Sequence, residues 1–377
     1  MKSPQRQQTL TNRPLGRIVM PMTAKDPSFE TPFDRDRIQA WLREEDALRL
    51  EALWRAADDA RRRHVGDEVH LRGLVEISNH CQRQCAYCGI RAGNRGIERY
   101  RMTRDEILAC AREALSLGFG TVVLQAGEDP GLRSDWVADL VRAIKSETSL
   151  AITLSLGERT TDELRAWKQA GADRYLLRFE TSDPSLFHRI HPSLPNTLSD
   201  RMAQLRALRD LGYEIGSGVM VGIPGQAWDS LAQDILTFKA LDLDMIGVGP
   251  FLPHPDTPLG GVTEDAGEDQ VPATEDVVYR VLALTRLVCP EANIPSTTAL
   301  ASINKKQGRQ LGLLRGANVV MPNLTPSTYR FKYAIYPDKA CVNETVLVGP
   351  SVIAEQIEAL GRRVGRGEGG RRRQDAS

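Results

Sequence analysis

The sequence predicts an α/β protein built on a (β/α)₈ barrel of the TIM type, closed or nearly closed, with a helical extension on its N-terminal side. Short apolar runs alternate with amphipathic helix patterns along most of the 377 residues, which is the order that gives a parallel sheet. The runs are almost continuously apolar, as in strands that are buried on both faces. A doubly wound sheet has the same alternation, but the count of eight runs favours the barrel.

The elements follow from these runs in order. Residues 1–34 are polar and contain five prolines, which is typical of a loose N-terminal arm. Apolar residues at helical spacing then predict a helix over residues 35–63. The eight predicted strands cover residues 71–77, 121–125, 151–156, 174–180, 215–221, 245–249, 293–295 and 317–321. Residues 35–360 are therefore expected to form the barrel with its helix, and residues 361–377 a tail rich in Gly and Arg.

Two helices have a recognisable start. Thr103 and Glu106 have the spacing of a capping box ahead of an apolar helix face, and Thr160 and Glu163 repeat that spacing. In such a box the two side chains satisfy each other's free backbone N–H groups at the helix terminus. Helices are therefore expected directly after Thr103 and Thr160.

Composition excludes some classes of partner. Forty-nine Lys and Arg balance forty-nine Asp and Glu, so the chain has no excess positive charge for binding nucleic acid. No apolar run approaches the roughly 18 residues that span a membrane, and the first residues lack the apolar core of a signal peptide. We therefore expect a cytoplasmic protein with neither nucleic acid nor membrane as a partner.

Three of the six cysteines lie within eight residues, directly after the first predicted strand. Cys81, Cys85 and Cys88 have the pattern C-x₃-C-x₂-C, which in a reducing compartment indicates metal binding or catalysis. A structural zinc site would need a fourth ligand, and no further Cys or His stands at ligand spacing. Three thiolates can hold a four-iron cluster and leave one iron free. An iron–sulfur site is thus favoured over zinc and over chance clustering of buried thiols.

This motif, with Tyr87 before its last cysteine, resembles the signature of the radical S-adenosylmethionine (SAM) superfamily. The resemblance implies one [4Fe-4S] cluster bound by Cys81, Cys85 and Cys88, which are then both the metal ligands and the catalytic cysteines. It also implies SAM as the cofactor. In that family the free iron binds the amino and carboxylate groups of SAM, and an electron from the cluster cleaves the sulfonium to a 5′-deoxyadenosyl radical.

The resemblance also implies which residues contact SAM. Gln125, Gly127 and Glu128 end the second predicted strand in a segment similar to the family's motif for the SAM amino group. Other candidates stand at or just after the ends of later strands, where barrel active sites are built. The full set of expected cofactor contacts is Tyr87, Gln125, Gly127, Glu128, Glu180, Arg201, Gly222 and Met245.

Longer stretches, among them 100–103, 124–130, 249–258 and 321–330, resemble the HydE family of [FeFe]-hydrogenase maturases over about residues 35–373. This implies a small organometallic substrate, a cysteine-bound iron carbonyl cyanide complex, in assembly of the hydrogenase di-iron site. It also implies other maturases as partners and an external electron donor such as a ferredoxin or flavodoxin. The implied substrate contacts are Thr153, Arg174, Arg178, Thr297, Thr298, Met321 and Tyr329.

Two positions depart from that family. Phe179 stands where many members have His, so any polar role of that side chain is lost. Some members hold an auxiliary cluster with three C-terminal cysteines, of which this chain has only Cys341. We therefore expect no auxiliary cluster. Cys110 and Cys289 lie in helical patterns and are expected to be buried, inert thiols.

Two other functions remain open at this stage. One is a radical SAM amino-acid mutase of the methylornithine synthase (PylB) type, whose substrate carboxylate the two arginines could bind. The other is a non-catalytic iron–sulfur carrier or scaffold, which would have no need for SAM contacts. Formation of 5′-deoxyadenosine from SAM separates the two enzymes from the carrier.

Overall fold

The computed structural model describes residues 29, 31–195, 197–261, 267, 269–337, 339 and 350–373. The chain separates into residues 1–32 and 33–377, and every element below belongs to the second part. The prediction of a loose arm falls almost entirely outside the described residues, as does Cys341. The domain boundaries at 34 and 360 stay predictions.

A parallel sheet curls into a nearly closed barrel, as predicted. Its strand order is β6-β5-β4-β3-β2-β1-β7, and β8 pairs with β1 beside β7. Residues 293–295 lie between β6 and β7 and join them by single bridges, Met245 with Asn293 and Pro295 with Val319. The strands are β1 (Glu68–Ser78), β2 (Thr121–Ala126), β3 (Ala151–Ser155), β4 (Arg174–Leu176), β5 (Glu214–Val221), β6 (Met245–Pro250), β7 (Val319–Val320) and β8 (Arg363–Val364).

Helices follow most of the strands, and both capping boxes are present, at Thr103 with Glu106 and at Thr160 with Glu163. No helix in the described ranges is long and apolar enough to cross a membrane. The helices are α1 (Arg35–Leu42), α2 (Ala47–Val65), α3 (Arg104–Ser116), α4 (Ser134–Glu147), α5 (Thr161–Ala170), α6 (Pro184–Ile190), α7 (Arg201–Asp210), α8 (Trp228–Ala240), α9 (Glu275–Val288), α10 (Thr298–Ile303), α11 (Gly308–Leu314), α12 (Ser327–Arg330) and α13 (Pro350–Ala359).

The structure corrects three element predictions. Residues 293–295, expected as a strand, form no strand and are joined to β6 and β7 by single bridges. The single helix expected over residues 35–63 is two helices, because Asp46 accepts hydrogen bonds from the backbone N–H groups of Leu48 and Arg49 and so starts α2 afresh. Strand β4 was expected to reach residue 180 but ends at Leu176. The N–H of Phe179 donates to the Ser217 hydroxyl in place of a strand carbonyl, at 3.1 Å. The ladder is broken there, and Glu180 adopts a positive φ of 63°.

Residues 363–371, which we call the floor segment, close the N-terminal end of the barrel. The Gly369 carbonyl accepts hydrogen bonds from Arg72 Nη2 at 2.9 Å and from Asn293 Nδ2 at 3.1 Å. The Glu368 carbonyl accepts from the Thr121 hydroxyl at 2.8 Å. A Cβ on Gly369, whose φ is 59°, would lie 2.5 Å from the His70 ring, so only glycine fits. Part of the expected tail is therefore packed against the strands.

Candidate active site

A cavity of about 340 Å³ occupies the barrel interior. Residues of the strands and of the segments that follow them line its walls, and one end is covered by residues 79–103, which we call the cysteine loop. The loop connects β1 to α3 without helix or strand of its own. Cys81, Cys85 and Cys88 all line the cavity. The three candidate ligands therefore stand at the C-terminal ends of the strands, where barrel enzymes carry their active sites.

The three thiols fit an iron–sulfur cluster. Burial raises the pKa of each of them, that of Cys85 to about 12, and the neighbouring cysteines repel each other's thiolate forms. Three adjacent thiolates are thus stable only against a cationic group that displaces their protons. Among the described residues, no three Cys, His, Asp or Glu are grouped as ligands of a single metal ion. A four-iron cluster instead takes each thiolate on a different iron.

A buried network of two carboxylates and two arginines lies beside the cysteine loop. Arg83 Nε is 2.6 Å from Glu128 Oε1, and Arg83 Nη2 is 2.9 Å from Glu158 Oε2. Arg201 Nε lies 3.0 Å from Glu158 Oε1. The N–H of Glu158 donates to Glu128 Oε2 at 2.9 Å. The Glu128 carboxylate is therefore held by protein donors, and it fixes the loop after β2 rather than offering a free charge.

Gly127 brings that same loop against the cysteines. Its N–H donates to the Ser78 carbonyl at 3.1 Å, and a Cβ at this position would lie 2.3 Å from the His80 carbonyl oxygen. Any larger residue would push the end of β2 away from the cysteine loop. The Gln125 amide, which also lines the cavity, donates to the Tyr333 hydroxyl at 3.3 Å. The segment 125–128 is thus placed to present backbone groups to a ligand.

Glu180 lies across the cavity from these groups. Arg178 Nε donates to its two carboxylate oxygens at 3.0 and 3.1 Å, and the Tyr87 hydroxyl is 3.5 Å from Oε1. Its positive φ is uncommon for a residue with a side chain, and such strain is concentrated at functional sites. Burial, followed by the charge on Glu180, raises the pKa of the Tyr87 hydroxyl, so the phenol stays protonated. Tyr87, Arg178 and Glu180 form one polar wall.

The remaining cavity residues form its deeper half. Met245, at the start of β6, accepts a hydrogen bond from Arg72 Nη1 at its sulfur, at 2.9 Å. The Thr153 hydroxyl is buried and has no hydrogen-bond partner among the described residues, so it is open to a ligand. Thr297 donates to the Val248 carbonyl at 3.1 Å. Thr298 and Met321 also line the cavity.

The structure does not bring Arg174, Gly222 or Tyr329 to the cavity. Arg174 forms an ion pair with Glu214 at the floor. Gly222 has a φ of 84°, and a Cβ there would meet the backbone of Ala273 at 2.3 Å. Tyr329 donates its hydroxyl to Glu106 at 2.8 Å and stacks on Tyr100 outside the barrel interior. The other fifteen predicted site residues line the cavity together.

The Phe179 ring does not line the cavity. It is 1% exposed and packs against Phe238 of α8, with 5.6 Å between ring centroids. Alternation along the chain turns this side chain to the outside of the barrel while Arg178 and Glu180 face the interior. A His in place of Phe179 would therefore change a helix contact and leave the cavity wall unchanged.

Several cavity residues were not predicted. Arg83 lines the cavity and lies inside the cysteine motif itself. Glu158 does not line the cavity but holds Arg83 and Arg201, and its place just after β3 was a usable signal. Tyr333 and Lys339 come from an irregular segment that carries no periodic pattern. Lys339 forms a buried ion pair with Glu76 of β1, 263 residues away in sequence, which nothing local predicts.

Comparison with known proteins shows which family the chain resembles. A family model described as "Radical SAM superfamily" matches residues 75–237. The chain is 46% identical to the "[FeFe] hydrogenase maturase subunit HydE" of Thermotoga maritima over 90% of this chain and 94% of that protein. It is 30% identical to "3-methylornithine synthase" of Methanosarcina acetivorans over 76% of this chain and 78% of that one.

The chain therefore belongs to the radical SAM superfamily and is one of its enzymes. Within the superfamily it is similar to HydE along nearly its whole length, as the sequence motifs indicate. Among solved structures, methylornithine synthase (PylB) has a TM-score of 0.74 at 24% identity and covers 90% of this chain and 96% of its own. That likeness shows the shared barrel fold.

Proposed function

We propose that this radical SAM enzyme is a maturase of the HydE type, which acts on a cysteine-bound iron carbonyl cyanide complex during assembly of an [FeFe] hydrogenase. The observation that carries the proposal is the identity of 46% with HydE over 90% of the chain. It is supported by a cavity that is lined by most of the residues expected to contact SAM and the substrate. The 30% identity with 3-methylornithine synthase is lower and covers less of the chain.

Cys81, Cys85 and Cys88 would hold the [4Fe-4S] cluster at the cavity end that the cysteine loop covers. When bound, the cluster and SAM supply one-electron cleavage of the sulfonium, which yields a 5′-deoxyadenosyl radical. Arg201, 10% exposed and fixed by Glu158, is suited to the SAM carboxylate. Gly127 and its neighbours would offer backbone carbonyls to the amino group, and Glu180 a carboxylate to the ribose or amine.

The deeper half of the cavity would hold the substrate. Thr153 offers an unused hydroxyl, and Met245 and Met321 supply apolar, polarisable walls. Arg178 faces the cavity while bound to Glu180, so one positive charge stands between the expected cofactor and substrate positions. Enclosure by the floor segment would exclude water from the reacting groups.

The proposed function also implies an electron donor, partner proteins and a compartment for the enzyme. We propose that a low-potential carrier such as a ferredoxin or flavodoxin supplies the electron, and that other hydrogenase maturases deliver the substrate. The reducing cytoplasm suits an enzyme whose three thiols must not oxidise to a disulfide.

Anaerobic reconstitution tests the proposal. The chain is loaded with iron and sulfide, its iron is counted, and 5′-deoxyadenosine is measured after addition of reductant and SAM. We expect about four irons per chain, loss of SAM cleavage in Cys85→Ala, and retention of it in Cys110→Ala. Cys110 is a matched control because it is equally buried but bonds to Leu324 outside the cavity.

The substrate is tested separately. With the cysteine-bound iron carbonyl cyanide complex present, we expect consumption of that complex and activation of a hydrogenase that lacks its di-iron site. Methylornithine formed from an amino-acid substrate would favour the mutase, and an intact cluster without SAM cleavage would favour the carrier. Two to four extra irons per chain would contradict the expectation that no auxiliary cluster is present.

A further inference from the structure

The partly buried Arg99 side chain binds the backbone of the cysteine loop. Its Nη1 donates to the carbonyl oxygens of Asn79 at 2.5 Å and Ile90 at 2.7 Å. Its Nη2 donates to those of Arg91 at 2.8 Å and Asn94 at 3.1 Å. All four acceptors are backbone groups of the cysteine loop.

These acceptors bracket the three cysteines. Asn79 precedes Cys81, and Ile90 to Asn94 follow Cys88. The loop contains no helix or strand, so no regular ladder of backbone hydrogen bonds fixes its course. A planar guanidinium with five donors can tie four separate carbonyls into one arrangement, which the smaller lysine ammonium cannot do with the same geometry. Arg99 therefore joins the start of the loop to its end.

The charge of Arg99 is not neutralised by these contacts. Arg83 pairs with Glu128 and Arg101 with Asp129, whereas the four partners of Arg99 are all uncharged. Burial lowers the pKa of Arg99, and the thiolates of Cys81 and Cys88 are the charges that raise it again. The Nη1 atom of Arg99 lies 2.5 Å from the carbonyl oxygen of Asn79, two residues before Cys81, and 2.7 Å from that of Ile90, two residues after Cys88. A positive charge therefore stands near two of the three ligands.

We propose that Arg99 is a positioning residue of the cluster site, which clamps the cysteine loop and raises the reduction potential of the cluster by its uncompensated charge. The proposal rests on the cluster assigned under the proposed function. Reduction adds a negative charge to the cluster, and a nearby cation favours the reduced state; net charge is among the factors that set such potentials.

The charge is tested by the midpoint potential of the cluster in the reconstituted full chain, measured by redox titration with electron paramagnetic resonance. Arg99→Met is expected to lower the equilibrium constant for reduction about tenfold, or about 59 mV for one electron. Arg99→Lys should keep the potential. Lys332→Met is the matched control, because it removes a cation that is already paired with Glu98, 2.5 Å away. An unchanged potential in Arg99→Met would overturn the role of the charge.

The clamp is tested in the metal-free chain by hydrogen–deuterium exchange. Both Arg99→Met and Arg99→Lys should exchange faster over residues 79–99 while the strands keep their protection, and both should retain less iron after desalting. Exchange equal to that of the unaltered chain in Arg99→Lys would overturn the clamp. Neither readout depends on the substrate, so failure of the maturase assignment and failure of this proposal are distinguishable.

Discussion

Arg174 and Arg178 lie four residues apart at β4, yet they belong to different parts of the molecule. Arg174 is 2% exposed, pairs with Glu214 and donates to the Thr121 hydroxyl at 3.0 Å, next to the floor segment. Arg178 is 30% exposed, lines the cavity, and holds Glu180 and the Val219 carbonyl. One arginine closes the barrel, and the other forms the wall of the site.

The difference shows that the position along the barrel axis decides the role of an inward-facing residue. Arg174 begins β4 and Arg178 stands two residues beyond its end, at positions that alternation turns to the same side of the chain. A strand rises about 3.3 Å per residue, so the two Cα atoms are about 13 Å apart along it. The cavity lies near the second residue only. A shared face therefore does not imply a shared ligand.

The largest effect that tests this comparison is expected at the floor. Arg174→Met should lower the free energy of unfolding by about 3 kcal/mol, because it removes the hydrogen bonds of a buried guanidinium to Glu214 and to the Thr121 hydroxyl. The rate of SAM cleavage per cluster should not change. Urea unfolding of the metal-free chain measures the first quantity, and the double variant Arg174→Met/Glu214→Leu should regain most of the loss. Loss of SAM cleavage at full stability would instead place Arg174 in the site.

Phe179→His is expected to act on stability alone. A buried imidazole beside Phe238 lacks a hydrogen-bond partner, which costs about 2 kcal/mol. The unfolded chain binds a proton on this His below its usual pKa of about 6.5, and the buried ring does not, so the loss should grow as the pH falls below that value. Phe238→His is the matched control and should show the same loss of stability with the same pH dependence. Altered SAM cleavage in Phe179→His alone would contradict its outward position.

Arg178→Met should give the smallest effect, and on activity rather than on stability. The ion pair is partly exposed, so the free energy of unfolding should fall by less than about 1 kcal/mol. Loss of the hydrogen bonds that hold Glu180 should lower kcat/KM for SAM cleavage about tenfold. Steady-state kinetics of 5′-deoxyadenosine formation measures this change in kcat/KM. Arg178→Lys is expected to recover part of the activity. A stability loss as large as that of Arg174→Met would remove the distinction between the two arginines.

The fold was predictable where local pattern and tertiary structure agree. Strands β1, β2, β3, β5 and β6 were predicted close to their observed bounds, because runs buried on both faces are apolar throughout. The end of β4 was not predictable, since it depends on a side chain of the next strand, Ser217. Strand β8 has only two residues and exists because β1 offers an edge to pair with. Such pairing over a long sequence distance leaves no local signal.

The site, like the fold, has a part that the sequence predicts and a part that it does not. The cysteine motif and the strand-end residues were found, because each is a local pattern at a position that the barrel makes functional. The pairing of Lys339 with Glu76 and the four contacts of Arg99 depend on how irregular segments fold against each other. Tyr329 was chosen for the cavity, where the structure places Tyr333.

Because other strands pair with both edges of β1, the barrel can close only after most of the chain has been synthesised. One edge of β1 is covered by β2 soon after it is made, but its other edge waits for β7 and β8. At about 5–20 residues per second, the ribosome needs about 12 s or more to travel from β1 to β7. During that interval Cys81, Cys85 and Cys88 already exist without the finished wall that encloses them. Their exposure to oxygen and to stray metal ions is therefore greatest while the chain is still being made.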